Sequence, residues 1–376
     1  MKKTDVLIIG AGAAGLMCAA TAGYRGRRVT VLDHAPKPAA KIRVSGGGRC
    51  NFTNLNVGAE HYYGANRDFA RSALARYTNE DFIALVERHG IEYEQREHGR
   101  LYCRHRASDI TRMLLTECDW AGVERRQNTT VESVRRREGG FEVRAGGELW
   151  RCESLVVATG ALSWPKLRAS DFGYRMARQF GLPVTKTRPG LVPLVMNARW
   201  RRHYGALSGL SLAAEVRCEG VSFEEPVLLT HFGLSGPGIL QISNVWREGR
   251  PVELNLFPGE ALEETLLALK RQGGSLHAWL KRRLPRRFAQ VWIARENWPE
   301  RLDTLTDAAV RQLASNMTRW TLWPEATAGY DRAEVTLGGV ATEALSGRTM
   351  MAREVPGLFF VGEVVDITGQ LGGYNF

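Results

Sequence analysis

The segment "VLIIGAGAAGLMCAATAGYRGRRVTVLD", residues 6–33, carries the strongest structural signal in this chain. A short apolar run ends at Gly10, and Gly10, Gly12 and Gly15 have the spacing G-x-G-x-x-G. A helix-length segment and a second apolar run follow, and that run ends in Asp33. In a strand–turn–helix–strand unit such glycines allow a tight turn, approach of a pyrophosphate to backbone N–H groups and close helix–strand packing, while the acid binds ribose. The pattern predicts a dinucleotide site on an α/β sheet.

The composition is that of a globular protein with excess positive charge. The chain has 376 residues, 44% of them hydrophobic and 9% aromatic, and its formal net charge is +11. Such a charge suits a nucleic-acid or membrane-surface partner. The cations are overwhelmingly arginines spread through every segment, which favours a general arginine bias over a dedicated polyanion site. We therefore disfavour a nucleic-acid partner and interpret the densest run, Lys281–Arg287, as the solvated face of a helical segment.

The cysteines and the N-terminus both indicate a protein of the reducing cytoplasm. None of the six cysteines forms a C-x-x-C pair, so neither a disulfide framework nor a zinc ribbon is indicated. The trio His98, Cys103 and His105 lacks a second ligand pair, and we predict no metal site. Residues 1–23 imitate a signal peptide, but Asp5 and the regular glycines argue against that interpretation. We predict a cytoplasmic protein with no membrane partner.

A second glycine-rich segment, "KIRVSGGGRCNFTN", spans residues 41–54. Ordinary turns need one or two glycines, whereas the triplet Gly46–Gly48 lets the backbone approach a ligand very closely. The guanidinium of Arg49 is placed beside it to meet phosphate or another negative charge. Cys50 has two interpretations: a redox-active thiol, or a small buried residue that fits a tight loop. We favour the second.

Two further apolar runs, 155–158 and 358–361, are typical of buried strands. A buried strand that opens into a small-residue loop allows a second backbone segment to contact the same cofactor. From about residue 188 short strands with turn residues predominate, and residues 259–317 have a helical pattern. The residues that follow the two apolar runs are Thr159 and Gly160, and then Gly362, Glu363 and Asp366.

Together these segments resemble the YhiN/BaiN-like bacterial flavoproteins, a family of NAD(P)/FAD-dependent oxidoreductases that includes aminoacetone-oxidase-like members. The resemblance covers essentially the whole chain, and its most specific parts are the SGGGRCN and GGYNF sequences. More distantly, the first, third and last motifs resemble the glutathione-reductase-type FAD fold. The motifs are "GAGAAG" (10–15), "SGGGRCNFTN" (45–54), "VVATGALSWP" (156–165), "LLTHFGLSGP" (228–237), "AEVTLGGV" (333–340) and "GLFFVGEVVDITGQLGGYNF" (357–376).

The resemblance implies an α/β protein with a glutathione-reductase-type, Rossmann-like FAD-binding domain. A β-rich domain is expected to be inserted into it, and a small helical unit to be inserted into the β-rich domain. The implied bounds are 1–187 and 333–376 for the FAD-binding domain, 188–258 and 318–332 for the β-rich domain, and 259–317 for the helical unit.

The resemblance also implies which residues hold FAD. The glycines of the first motif cradle the pyrophosphate, Asp33 takes the adenosine ribose and the backbone of Val131 contacts adenine. The triplet Gly46–Gly48 runs along the flavin and its phosphates. The family's Gly-Asp pair at the ribityl chain is Gly-Glu here, which leaves open whether Glu363 or Asp366 binds that chain. In full, the implied cofactor-binding residues are Gly10, Gly12, Ala13, Ala14, Gly15, Asp33, His34, Lys41, Ser45, Gly46, Gly47, Gly48, Arg49, Cys50, Asn51, Val131, Thr159, Gly160, Gly362, Glu363, Asp366, Gly372, Gly373, Tyr374 and Asn375.

Two features depart from the family pattern. Ala39 and Ala40 stand where a Gly-Arg pair is expected, which removes one cation. The given chain ends at Phe376, whereas the resembling proteins continue into a helix whose N-terminus points at the flavin pyrimidine. Because a helix N-terminus stabilises an anionic reduced flavin, we expect this 376-residue form to hold FAD loosely and to be reduced poorly.

We predict an FAD-dependent oxidoreductase that acts on a small organic substrate and passes electrons to or from NAD(P)H or oxygen. NAD(P)H is expected only as a transient donor, because no second G-x-G-x-x-G is present. Cys50 and Arg49 are the candidate catalytic residues. Two alternatives stay open: an FAD-dependent protein that modifies or binds RNA, supported by the net charge alone, and a non-catalytic FAD-binding protein. The substrate's identity and the oligomeric state are left open.

Overall fold

The apolar run Val6–Ile9 forms a strand in this structure, a computed structural model that describes residues 1–376. Contacts divide the chain into two units. Unit 1 comprises Met1–Pro189 and Glu334–Phe376, and unit 2 comprises Gly190–Ala333. The three-part division with the bounds given above stays a prediction.

The strands are short, and most contain three to five residues. In chain order they are β1 (Lys2–Lys3), β2 (Val6–Ile9), β3 (Val29–Leu32), β4 (Asn51–Asn54), β5 (Tyr62–Tyr63), β6 (Tyr93–Gln95), β7 (Arg100–Cys103), β8 (Glu124–Arg126), β9 (Val131–Arg137), β10 (Gly140–Ala145), β11 (Glu148–Cys152), β12 (Ser154–Val157), β13 (Arg188–Gly190), β14 (Leu194–Met196), β15 (Ser211–Leu212), β16 (Glu215–Cys218), β17 (Val221–Glu224), β18 (Val227–Leu229), β19 (Gly233–Ser235), β20 (Val252–Asn255), β21 (Trp320–Leu322), β22 (Pro324–Thr327), β23 (Val335–Leu337), β24 (Leu358–Phe360) and β25 (Thr368–Gly369).

Six α-helices belong to each unit. In chain order they are α1 (Ala13–Tyr24), α2 (Ala40–Val44), α3 (Arg71–Arg76), α4 (Asn79–Arg88), α5 (Ser108–Trp120), α6 (Phe172–Gln179), α7 (Ala198–Tyr204), α8 (Pro237–Ser243), α9 (Leu262–Arg271), α10 (Leu276–Arg283), α11 (Arg286–Glu296) and α12 (Asp307–Thr318).

Unit 1 is built on a five-stranded parallel sheet in the order β24-β12-β2-β3-β8. The central strand β2 places Ile9 opposite Val157 on one side and Leu32 on the other. Since successive side chains of a strand point to opposite faces, Leu7 and Ile9 join one apolar core while Ile8 joins the other. A parallel sheet buried on both faces is typical of doubly wound α/β folds, whose ligands bind at the carboxyl ends of the strands.

Besides the two-stranded sheet β25-β5, unit 1 contains two further sheets. In the four-stranded sheet β1-β11-β10-β9, strands β9 to β11 form an antiparallel meander and β1 pairs in parallel with β11. The three-stranded antiparallel sheet β4-β7-β6 carries the end of the second glycine-rich segment, with Asn51 opposite Tyr102. This sheet therefore fixes where the glycine triplet lies in unit 1.

Unit 2 contains two antiparallel sheets and a run of four helices. The sheet orders are β15-β18-β19-β14-β22 and β17-β16-β20-β21. One apolar core joins both sheets to helices α9 to α12, and fully buried Phe288 and Trp292 lie inside it. The Trp292 ring lies 5.5 Å from that of Trp320 on β21, centroid to centroid. Aromatic packing of this kind couples the helices to the sheets.

An apolar groove of ≈ 960 Å³ runs along α1 in unit 1. Val156 and Phe359 of the parallel sheet, Met17 of α1 and Phe82 of α4 line it. Phe376 also lines the groove, and its ring lies 5.3 Å from that of Phe82. A chain that continued from Phe376 would therefore start inside an apolar channel beside α1.

We expect an amphipathic helix of about five turns, appended after Phe376, to raise the Tm of the protein. Burial of apolar surface contributes about 25 cal/mol per Å², and ~1 kcal/mol corresponds to a few degrees in a chain of this size. Thermal unfolding and flavin content, measured on the given and extended chains, test the expectation. The matched control carries glutamines at the apolar positions of the added helix. Equal Tm and flavin content in all three proteins would contradict it.

Candidate functional site

The G-x-G-x-x-G loop places each glycine in a different environment. Gly10 has φ +108°, and a Cβ there would lie 2.4 Å from the carbonyl oxygen of Ala158. A Cβ on Gly15 would lie 1.9 Å from the carbonyl oxygen of Gly10, so the helix approaches the strand as only glycine permits. Gly12 has no atom within 4 Å of its Cβ position. Protein atoms therefore fill the space beside Gly10 and Gly15, whereas the space beside Gly12 is open.

The open end of the loop is the N-terminus of α1. No side chain caps this helix, and its first turn contains no acidic residue. The first N–H groups of a helix have no partner within it, and its dipole favours a negative charge there. The residues present therefore fit the pyrophosphate of a dinucleotide.

Asp33 and His34 follow β3 at the same edge of the sheet. The Asp33 carboxylate accepts hydrogen bonds from the backbone N–H of Ala11 (2.6 Å) and of Ala35 (2.7 Å). It therefore fastens the glycine loop to the end of β3. A carboxylate has about four acceptor sites, so these two hydrogen bonds leave room for a further donor. The expected contact with ribose stays a prediction. His34 Nε2 lies 3.0 Å from the carbonyl oxygen of Arg168.

Two other strand ends lie beside the glycine loop. A Cβ on Gly362, just after β24, would lie 2.6 Å from Cβ of Ala14 on α1. Beyond β12, the hydroxyl of Thr159 is buried and has no hydrogen-bond partner in the protein. Gly160 has φ +66° and open space at its Cβ position. An unpartnered buried hydroxyl and an open helix N-terminus on one sheet edge are features that bound FAD would satisfy.

A polar network surrounds Glu363, the residue after Gly362. Lys41 Nζ donates to Glu363 Oε2 at 2.6 Å and to Ser163 Oγ at 2.8 Å. Ser163 Oγ in turn donates to Glu363 Oε1 at 3.2 Å, and the N–H of Thr336 donates to the same oxygen at 2.9 Å. Asp366 is buried, and its Oδ2 accepts from the N–H of Ala65 at 3.3 Å. Sequence reasoning did not single out Ser163 or Thr336, although they lie within the family motifs 156–165 and 333–340.

Glu334 is a second carboxyl near Lys41 that sequence reasoning missed. It is half-buried and precedes β23, the strand that contains Thr336. Burial raises the pKa of the Glu334 carboxyl above its ordinary value of 4.5, and the positive charge of Lys41 partly offsets this shift. A carboxyl with a raised pKa holds its proton to a higher pH than a free carboxyl does, which is the direction that a general acid needs.

The glycine triplet forms a turn in the left-handed region of backbone space. Gly46, Gly47 and Gly48 have φ values of +56°, +65° and +85°. A Cβ on Gly46 would lie 2.7 Å from the backbone nitrogen of Asn51, whereas Gly47 and Gly48 face open space. Two hydrogen bonds hold the turn: the N–H of Cys50 donates to Ser45 O at 3.0 Å, and that of Ala107 donates to Gly48 O at 2.7 Å. Contact of this turn with a flavin stays a prediction.

The two candidate catalytic residues, Arg49 and Cys50, differ in solvent exposure. Arg49 is exposed, and its Nη1 lies 3.5 Å from Oε1 of Glu94. Cys50 is 0% exposed, and burial raises the pKa of its thiol to about 12. A thiol that is buried and protonated is inert as a nucleophile. The geometry is that of a small residue filling a tight loop.

The C-terminal GGYN motif packs against strand β4. Asn54 Nδ2 donates to Gly372 O at 2.9 Å, and Tyr62 Oη donates to Tyr374 O at 2.9 Å. A Cβ on Gly373 would lie 2.3 Å from the carbonyl oxygen of Thr53. The two most specific motifs, far apart in sequence, are therefore in direct contact.

Three other predicted residues, Asn51, Asn375 and Val131, are held by contacts within unit 1. In the amide orientation that satisfies its neighbours, Asn51 accepts from the N–H of Gly373 at 3.1 Å. The Asn375 side chain closes a loop by accepting from the N–H of Gly369 at 2.8 Å. Val131 begins β9, two residues after Thr129, whose N–H donates to Asp33 O at 2.8 Å. The cofactor roles expected of these residues stay predictions.

Comparison with known proteins identifies relatives that match this chain along its length. A family model described as "HI0933-like protein Rossmann domain" matches residues 4–376. Two relatives are named "Ribosomal RNA dihydrouridine synthase". The Escherichia coli (strain K12) protein is 46% identical over 388 residues, which cover 100% of this chain and 95% of that protein. The Haemophilus influenzae protein is 43% identical over 381 residues, which cover 99% and 95%.

A solved structure supports the fold. The 3-ketosteroid-delta4-(5alpha)-dehydrogenase from Rhodococcus jostii RHA1 is similar with a TM-score of 0.50, at 14% identity, over 100% of this chain and 92% of that chain. At this identity the similarity concerns the fold alone. Together with the family match it confirms the predicted α/β class with a Rossmann-like FAD-binding domain.

None of the helices in this structure combines the length and the apolar character that a membrane crossing requires. The longest, α5, has 13 residues, whereas a crossing needs about 20.

The prediction that disfavoured a nucleic-acid partner is wrong. Both relatives are named for an action on ribosomal RNA, and they match 99% or more of this chain. The argument from arginine bias failed because the spread of cations along a sequence does not show how charges group on the folded surface.

We expect Gly15→Ala and Gly12→Ala to separate folding from cofactor binding. At Gly15 a methyl group collides with the Gly10 carbonyl, and such overpacking costs about 1–3 kcal/mol. At Gly12 a methyl group meets no protein atom but enters the space above the helix N-terminus, so it weakens FAD binding with little effect on the Tm of the flavin-free protein. Thermal unfolding without flavin and FAD titration measure the two effects. The assignment fails if Gly12→Ala binds FAD as tightly as the parent, or if Gly15→Ala is equally stable.

Proposed function

The chain belongs to the HI0933-like family, whose members are FAD-dependent oxidoreductases, and we propose that it reduces a uracil base of ribosomal RNA to dihydrouracil. The observation that supports this most is the identity of 46% and 43% to two proteins named for that activity, across 95% of their own length. The net charge of +11 suits a polyanionic substrate. The small organic substrate expected from the sequence gives way to this proposal.

The reaction adds a hydride and a proton, in total two electrons and two protons, across the C5=C6 bond of the base. FAD, when bound and reduced, supplies the electron pair. This chain's own contribution begins with holding the cofactor: the open N-terminus of α1 above Gly12 meets the pyrophosphate, and the Thr159 hydroxyl offers a hydrogen bond from beyond β12. We propose that NAD(P)H is the reductant and binds only transiently. The sequence contains one dinucleotide fingerprint, which is assigned to FAD.

Saturation of the double bond also needs a proton at one carbon. Cys50 does not suit this task because it has no exposed surface. Glu334 does, since it is half-buried, its pKa is raised by burial, and it lies close enough to Lys41 to feel that charge. The other carboxylate of the group, Glu363, is held in an ion pair of 2.6 Å with Lys41 and is therefore less suited to the task. We assign Glu334 the role of proton donor.

The proposed activity is tested with the flavin-loaded protein, NADPH and ribosomal RNA from cells that lack this protein. We expect dihydrouridine to appear in nucleoside digests analysed by mass spectrometry, in proportion to NADPH consumed. RNA heated to remove its structure, and reactions without NADPH, are the controls. Full reduction of the flavin with no dihydrouridine in any RNA would exclude the activity.

We expect Glu334→Gln to lower dihydrouridine formation by about 10²-fold or more, the usual contribution of a general acid. Reduction of the flavin by NADPH should be unchanged, because Gln keeps the shape and loses only the proton. The matched control is Glu343→Gln, which changes an exposed glutamate nearby in sequence. An unchanged rate of base reduction in Glu334→Gln would remove the assignment.

The same variant has a pH signature in stability. Because its pKa is raised in the folded protein, Glu334 binds more protons when folded than when unfolded as pH rises above its ordinary value of 4.5. The free energy of unfolding therefore falls with rising pH in that window. Glu334→Gln removes this fall, so its Tm relative to the parent should rise with pH.

A further inference from the structure

In unit 2 the positively and negatively charged residues are separated along the sequence. Residues 190–333 contain 18 Lys and Arg and 15 Asp and Glu, which nearly balance. Two stretches, 197–214 and 265–295, hold 11 of these cations and none of the acids. The remainder of the unit is consequently acidic. Such a separation concentrates positive potential wherever the two stretches meet.

The fold brings the two acid-free stretches together. Helix α7 lies in the first and helix α11 in the second, and the two helices pack on each other. The Tyr204 ring of α7 lies 6.3 Å from the Phe288 ring of α11, centroid to centroid. Just beyond α7, the carbonyl oxygen of Ala206 accepts a hydrogen bond of 2.9 Å from Arg287 Nη2. The junction of α10 and α11 is thus fixed beside the end of α7.

The apolar side chains of these helices turn inward and leave the cations outside. Trp200 and Tyr204 of α7 are buried, as are Leu284 and Phe288 near the α10–α11 junction. We call the exposed cations of α7 and of the α10–α11 junction the basic face: Arg199, Arg201, Arg202, Lys281, Arg282, Arg286 and Arg287. No carboxylate lies within the 4.0 Å salt-bridge distance of any of the seven, whereas the neighbouring Arg283 pairs with Glu260. Exposed cations without acidic partners leave a positive potential that attracts an anion.

The chemistry of the basic face suits a phosphodiester chain. Six of its seven members are arginines, whose planar guanidinium donates two parallel hydrogen bonds to a phosphate. A membrane-binding face would also need apolar side chains to enter the lipid. The exposed large hydrophobic residues of the whole chain are Met1, Tyr24, Val44, Leu55, Tyr77, Trp120 and Trp323, and none of them lies in either stretch.

We infer that the basic face of unit 2 binds the phosphate backbone of the ribosomal RNA substrate. The inference rests on the proposed function, and it assigns the run Lys281–Arg287 to RNA binding in place of the solvated helix face expected from the sequence. Backbone contacts of this kind position an RNA and are largely independent of its sequence. The basic face therefore supplies affinity, while selection of the base belongs to other parts of the protein.

The test variant combines Arg201→Gln, Arg202→Gln, Arg282→Gln and Arg286→Gln. Arg287 is kept because its hydrogen bond to Ala206 links the two helices. The matched control removes the same charge from unit 1, where Arg135, Arg136, Arg178 and Arg348 are exposed and have no acidic partner. Each of these four is also changed to Gln. The control separates a local contact from a general loss of positive charge.

Binding of ribosomal RNA to the flavin-loaded proteins is measured over a series of salt concentrations. Each phosphate contact contributes about 0.7 to 0.9 to the slope of log affinity against log salt. We expect the basic-face variant to lose affinity on the order of 10²-fold at low salt and to have a slope shallower by about three. The control should change far less in both. NADPH-driven reduction of the flavin should be the same in all three proteins, which verifies that unit 1 is intact.

Two outcomes would overturn the inference. One is equal affinity and slope in the basic-face variant and the control. The other is an unchanged affinity for RNA together with lost binding to phosphatidylserine vesicles, which would assign the face to a membrane. Dihydrouridine formation, measured in parallel, keeps the two proposals distinct. If the parent forms none while RNA binding still depends on the face, the proposed activity fails and the inference stands; if all three proteins modify RNA with the same KM, the inference alone fails.

Discussion

The close approach of helix α1 to the end of strand β2 is the constraint on which the candidate site depends. A Cβ at Gly15 would lie 1.9 Å from the carbonyl oxygen of Gly10, so this spacing exists only because Gly15 has no side chain. The approach sets the start of α1 beside the ends of β12 and β24, where Gly362 lies against Ala14. The helix N-terminus, the Thr159 hydroxyl and the Glu363 network share one sheet edge as a result. A single steric requirement thus assembles groups from three distant segments.

The parts of the site that the sequence predicts are those encoded locally. The unit β2–α1–β3 forms between residues 6 and 33 as expected, because apolar periodicity and glycine spacing act over a few residues. The polar network could not be predicted in this way, since Lys41 and Glu363 are 322 positions apart and meet only when β24 joins the sheet. The position of Asp33 at the end of β3 was expected from the sequence. Its hydrogen bond with the backbone N–H of Ala11, which holds the glycine loop in place, is not revealed by the motif.

The error about nucleic acid has a similar physical origin. Net charge is a sum, and in unit 2 the cations and acids nearly cancel, so the total says little about any one surface. The potential that an RNA meets depends on which cations lie together and which have acidic partners. Here α7 and α11 join two acid-free stretches that are 50 residues apart in sequence, and buried Tyr204 and Phe288 hold them together. The grouping is a property of packing and becomes visible only in the folded chain.

Two modes of phosphate recognition operate under this interpretation, and their physics differs. At the start of α1 the groups that meet phosphate are backbone N–H donors and the helix dipole, in a first turn that contains neither capping side chain nor acid. On the basic face they are exposed guanidinium groups, whose attraction to phosphate is screened over a Debye length of about 8 Å at physiological salt. Fixed donors at close range retain a small cofactor, while exposed cations allow a large RNA to dissociate. A dinucleotide fold that hosts many chemistries can thus acquire an RNA substrate through surface charge elsewhere, without alteration of its glycine loop.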